Sequence, residues 1–137
     1  MLRDFLKKFD IDVDIPRLKQ LGNSFFDVSV LYSPKGLFRF FPVFAGKKIY
    51  SKTNRIIPSI DFLQFLASKS KKKIKLNKDD EWLFICGRDV SLKHSSSGFV
   101  FVVNSFGECL GYGEIRGNKL KNLFDIGWHL RKKGKKR

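Results

Sequence analysis

ECLGYGEI, residues 108–115, sets two glycines inside a pattern that otherwise reads as a β-strand. Glycine weakens a strand, because it adds backbone entropy and has no side chain to pack. Gly111 and Gly113 therefore mark a bulge, a barrel corner or the close approach of another backbone. Just upstream, GFVFVVN (98–104) is a near-continuous apolar run and predicts a strand. WLFIC (82–86) has the same texture and predicts a third strand. Downstream, Phe124, Ile126, Trp128 and Leu130 alternate with other residues at period two. That alternation predicts a strand with one buried face, bent at Gly127, closing the structure and holding Arg131 at its end. Short strands with glycine corners and no long helix between them predict a small barrel.

The N-terminal half has a different texture. Leu2, Phe5, Leu6 and Phe9 follow i, i+3, i+4, i+7 spacing, the stripe of a short helix packed on a core. Ile11, Val13 and Ile15 alternate with three aspartates and predict a short strand ended by Pro16. The aspartates lack the glycine and distal glutamate of a calcium loop. FFDVSVLYSPKGLFRFFPVF (25–44) predicts a hairpin turning at SPKG. SIDFLQFLASKS (59–70) predicts a helix capped by Ser59. The run KSKKKIKLNKDDE (69–81) is a linker, an exposed strand or both, and puts a domain boundary near residue 75. The expectation is an α+β protein, with a small α/β domain over 1–75 and a barrel-like domain over 76–137.

The chain has 137 residues and a formal net charge of +15. At 42% hydrophobic and 15% aromatic it has enough apolar area for a core. So large a charge destabilises a compact state by self-repulsion, and it points to a polyanionic partner. Residues 1–67 hold 11 bases and 6 acids, a net of +5, whereas residues 68–137 hold 17 and 7, a net of +10. The basic character belongs mainly to the barrel half. Apolar runs fall well short of a bilayer span, and the N-terminus lacks an apolar signal core, so a soluble, cytoplasmic protein is expected (nucleolar in a eukaryote).

Catalytic signatures are missing. The sequence contains no GxSxG, no GxxxxGK and no GxGxxG opening a helix. Cys86, Cys109, His94 and His129 have no metal-ligand spacing. Cys86, ahead of Gly87 and Arg88, and Asp89 are the residues an enzyme reading would use, but no cofactor loop accompanies them. The expectation is a non-enzymatic protein without metal or cofactor. Basic groups interleaved with aromatics remain, the pattern for phosphate attraction with base stacking. Tyr112, Phe106 and Trp128 are possible stacking platforms, with core packing the better reading for Trp128.

The ordered pieces FICGRDV (84–90), GFVFVV (98–103), LGYGEI (110–115) and DIGWHLRK (125–132) resemble a PUA domain, a pseudo-β-barrel found in RNA-modifying enzymes and ribosome-assembly factors. GKKIYSKT (46–53), the helix SIDFLQFLA and the lysine run before EWLFICGRDV extend the resemblance upstream. Together, over residues 46–137, they resemble the Nip-seven-like family of ribosome-biogenesis factors. The resemblance implies a non-catalytic factor binding precursor ribosomal RNA through the C-terminal domain, with protein contacts through the N-terminal one. It places Arg131 and Lys132 on the RNA, extended by Lys133, Lys135, Lys136 and Arg137. Arg88, Arg116, Lys119 and Lys121 of the same half complete the expected basic surface. The alternative is a stand-alone PUA-type partner of an RNA-modification enzyme.

Overall fold

The computed structural model describes residues 2–13, 18–27, 47–52 and 55–134. Among them the order is α1 (Leu2–Lys8), β1 (Leu18–Leu21), β2 (Ser24–Asp27), β3 (Lys47–Lys52), β4 (Ile56–Pro58), α2 (Ile60–Lys69), β5 (Lys73–Lys75), α3 (Lys78–Ile85), β6 (Val90–Val103), β7 (Cys109–Asp125) and α4 (Gly127–Gly134). The protein is α+β, and neither sheet closes into a barrel among the described residues. The chain forms two compact units, Met1–Asp12 with Leu63–Arg137, and Val13–Phe62.

The second unit is a four-stranded antiparallel sheet in the order β1-β2-β3-β4. Its first hairpin turns on Gly22 and Asn23, with Gly22 at φ 60°, a conformation that glycine adopts without steric cost. Phe25 stacks on Tyr50 across β2 and β3 at 4.4 Å. Of the hairpin predicted over 25–44, residues 25–27 fall in β2 and 28–44 lie outside the described residues.

The first unit is built on the antiparallel pair β6 and β7, with β5 parallel to β6. The exposed-strand reading of the lysine run holds for β5, where Ile74 lies between the exposed Lys73 and Lys75. Leu76, Phe84, Val90, Val102, Leu110, Ile115 and Leu120 form the core on one side of the sheet. Aromatic packing holds α1. Phe9 stacks on Phe101 at 4.2 Å, and Phe5 meets the Tyr112 ring edge-on at 5.0 Å.

The α1 end shows why no strand follows it. Ile11 N–H bonds Leu6 O and Asp10 N–H bonds Lys7 O, the double closure of a Schellman motif, with Asp10 in the left-handed region at φ 54°. Residues 11–13 are therefore irregular chain and not the predicted strand, and 14–17 lie outside the described residues. Helix α2 forms as expected, capped by Ser59, whose Oγ accepts from Phe62 N–H at 3.2 Å. Gln64 on this helix makes two bonds with the Cys109 backbone, donating to its carbonyl at 2.7 Å and accepting its N–H at 2.8 Å.

Two predicted strands are helices. WLFIC lies largely in α3, because Asn77 caps the helix by accepting from Asp80 N–H and Asp79, Asp80 and Glu81 face the positive end of the dipole. Residues 124–130 leave the sheet after Asp125, and α4 begins at Gly127. The alternation there joins a strand end to the exposed and half-buried positions of a short helix.

The glycines of LGYGEI do mark close backbone approach. A Cβ on Gly111 would strike the Phe124 carbonyl, and one on Gly113 the Lys121 carbonyl. The later part of β7 thus returns across its own beginning, and Ile126 N–H bonds Leu110 O at 2.9 Å. Cys109 is buried at this crossing, its Sγ donating to Gly111 O, and burial pushes the thiol up to about 12. Cys86 is exposed. Alkylation of the native protein at mildly alkaline pH is therefore expected to modify one thiol, and a second only after denaturation, as read by intact mass. Two labels on the native chain would contradict the buried placement.

Candidate nucleic-acid interface

Helix α3 ends in a Schellman closure. Gly87 N–H bonds Phe84 O at 2.9 Å and Arg88 N–H bonds Leu83 O at 3.1 Å. Gly87, at φ 87°, takes the left-handed position this closure requires. The chain then turns into β6 with Arg88 and Asp89 exposed. Asp89 Oδ1 accepts the backbone N–H of Asn122 at 2.8 Å, which ties the loop to β7.

The strand pairing brings the basic residues of β7 beside this loop. Val90 pairs with Leu120, Ser91 with Lys119 and Ser97 with Arg116. Leu120 is fully buried, so period two leaves its neighbours Lys119 and Lys121 on the outside, and both are exposed. Lys119 Nζ lies 3.6 Å from Asp89 Oδ2, and Arg116 Nη2 lies 2.9 Å from Glu114 Oε2. Glu114 raises the Arg116 guanidinium pKa through that bond, and the group remains fully charged. Exposed pairs of this kind are weak and readily exchange partners. Lys93 is exposed on β6 as well, a basic position that does not stand out in the sequence because it lies in the polar stretch SLKHSSS.

A clasp of polar groups fixes the loop from beneath. Asp125 is almost fully buried, and its Oδ2 accepts from Arg131 Nη2 at 2.9 Å and from Asn122 Nδ2 at 3.3 Å. Arg131 Nη1 reaches the α3 end and donates to Ile85 O at 2.7 Å, while Asn122 donates to Phe84 O at 2.7 Å. The planar guanidinium fork suits this double duty. Gly127 is the residue that lets α4 lie there, because a Cβ on it would meet the Ile85 carbonyl and stand 2.8 Å from Arg131 Nη1. Asp125 Oδ1 has no hydrogen-bond partner among the described residues.

The basic residues singled out from sequence are thus brought together in part. Arg88, Lys119 and Lys121 share the loop and the facing stretch of β7, and Arg116 stands further along the same strand. Arg131 starts inside α4 rather than at a strand end, and its guanidinium points into the clasp with 43% of the side chain exposed. Lys132 and Lys133 continue α4. Lys135, Lys136 and Arg137 lie outside the described residues. Of the aromatic platforms, Tyr112 is buried in the ring cluster, and Trp128 is half-buried against Phe124 and His129. Phe106 is 84% exposed. Among the described residues no group of His, Cys, Asp and Glu could hold a metal ion, and no helix is long and apolar enough to cross a membrane.

No protein-family model matches the chain. A UPF0113 protein of Archaeoglobus fulgidus is 30% identical over 109 residues, which cover 66% of this chain and 63% of that protein. The chain thus spans less than two thirds of that relative's length. Among solved structures, a hypothetical protein of Pyrococcus horikoshii aligns at 14% identity and a TM-score of 0.40, covering 82% of this chain and 77% of that one.

Proposed function

We propose that the protein is a non-catalytic RNA-binding factor acting in ribosome biogenesis, with large-subunit precursor RNA as its ligand. The observation that carries the reading is that Arg88, Lys119 and Lys121, all exposed, meet at the Val90–Leu120 end of the β6–β7 pair, with Lys93 and Arg116 exposed further along the same two strands. Phosphates displace the weak partners of Lys119 and Arg116, and binding releases counterions condensed on the RNA. The Arg131 clasp holds the loop carrying Arg88 against this strand, and Lys132 and Lys133 add charge from α4. In this reading the unit has PUA-like character: β7 crossing itself at Gly111 and Gly113 is the beginning of a pseudo-barrel wall. Other assembly proteins bind through the N-terminal domain, and neither metal nor cofactor takes part.

The test is a salt titration of RNA binding. With the full chain and a structured ribosomal RNA fragment, Arg88→Ala, Lys119→Ala and Lys121→Ala combined should lower the slope of log K against log salt by roughly two to three. The loss should be nearly uniform across RNA sequences, as expected of phosphate contacts. An unchanged slope and affinity would remove this surface from the account.

A further inference from the structure

The opposite end of the β6–β7 pair is built differently. Its turn, residues 104–108, is held by Asn104 Oδ1, which accepts from Phe106 N–H and from Glu108 N–H, each at 2.9 Å. Gly107 sits at φ 82° and returns its N–H to Asn104 O at 3.1 Å. Ser105 N–H donates to Glu81 Oε1 at 3.2 Å, which ties the turn to α3. A turn pinned at this many points holds Phe106 in water at 84% exposure. On the adjoining helix Trp82 is 67% exposed and Leu83 is 36% exposed. Single exposed apolar residues are common, but two aromatic rings on elements bonded to each other form a ready pair of interface anchors.

The local charge identifies the partner. Residues 75–87 and 104–108, which include Lys75 paired with Val103 beside the turn, contain Asp79, Asp80, Glu81 and Glu108 against Lys75 and Lys78, which is four acids and two bases, a net of −2 on a chain of net +15. A phosphate backbone gains less at this end than at the basic surface, so a cationic partner suits the rings better than RNA does. We infer that Trp82 and Phe106 are the anchors of a protein-docking surface whose occupant is a basic, amphipathic segment of another protein. Its apolar side chains cover the rings, and its lysines and arginines meet Asp79, Asp80 and Glu108. The turn carrying Phe106 is at the other end of the β6–β7 pair from Lys119 and Lys121, so the two partners are not expected to compete. The inference does not depend on the RNA reading.

The test uses the full chain and a fluorescein-labelled helical peptide with leucines at i, i+3, i+4 and i+7 and lysine or arginine at the polar positions. A peptide with glutamine at those polar positions serves as comparison. The basic peptide should bind more tightly than the glutamine one, although the chain as a whole would repel it. Trp82→Ala with Phe106→Ser should weaken it by roughly tenfold or more, as truncated anchors do. Asp79→Lys with Asp80→Lys should reduce both its affinity and its salt dependence. The Trp82 and Phe106 side chains are exposed, so that pair should keep the wild-type melting temperature and RNA affinity, whereas Asp79→Lys with Asp80→Lys also opposes the α3 dipole and is compared at a temperature where circular dichroism shows the fold intact. Peptide binding that ignores the variants would overturn the inference. So would a loss of RNA affinity in Trp82→Ala with Phe106→Ser, which would make the rings stacking platforms, or wild-type self-association abolished by the same pair, which would make the occupant a second copy.

Discussion

Arg131→Ala is expected to destabilise the protein by about 3 kcal/mol in denaturant unfolding. The change removes both bonds of the guanidinium fork, to Ile85 O and to Asp125 Oδ2. It leaves a carboxylate that is only 3% exposed with Asn122 as its remaining hydrogen-bonding partner among the described residues. The cost is dominated by that uncompensated buried charge, since an exposed pair contributes little. Arg131→Lys separates the clasp from the RNA contact proposed for the same residue. A lysine keeps the positive charge, but a single ammonium cannot reproduce the planar fork. Stability should therefore fall with lysine too, by less than with alanine, while the salt slope for RNA binding stays at its wild-type value. Equal stability of all three proteins would show that the clasp does not hold α4 to the end of α3.

Gly111→Ala should be costlier than an ordinary glycine replacement, by at least about 3 kcal/mol. The added methyl would strike the Phe124 carbonyl and lie 2.8 Å from Asp125 Cα, and both are backbone that cannot swing aside. Yielding there would shift the strand that carries the clasp carboxylate. Gly117→Ala is the matched control. Gly117 also has positive φ, at 66°, but a Cβ on it meets nothing within 4 Å. Its cost is the conformational one alone, about 1 kcal/mol. Similar losses at the two positions, measured by the same unfolding assay, would contradict the close crossing within β7.

That crossing was legible in the sequence, because glycine inside an apolar strand signals a bulge, a corner or a second backbone at close range. So were the helices α1 and α2, whose apolar stripes follow helical spacing, and the apolar strand at 98–103. The misread elements share one cause. Trp82 to Cys86 is too short and too uniformly apolar for periodicity to tell a helix from a strand. The deciding signal lies outside the run, in Asn77 and the three acids after Lys78, which follow the lysines directly and so look like more of a charged linker. At residues 124–130 the alternation is genuine, but it spans an element boundary set by tertiary packing. Gly127 must lie against the Ile85 carbonyl, and nothing local to the sequence reveals that neighbour. The basic site was legible as composition and as a set of residues. Its geometry was not, because the pairing of Ser91 with Lys119 and the inward turn of Arg131 depend on strand register and on α4.

The proposal that this surface binds RNA is tested most directly by photocrosslinking the full chain to a ribosomal RNA fragment and mapping the nucleotide-bearing peptides by mass spectrometry. The account predicts adducts in residues 86–97 and 116–121, reduced when Arg88, Lys119 and Lys121 are replaced by alanine. Adducts confined to Val13–Phe62, or to the turn carrying Phe106, would contradict it.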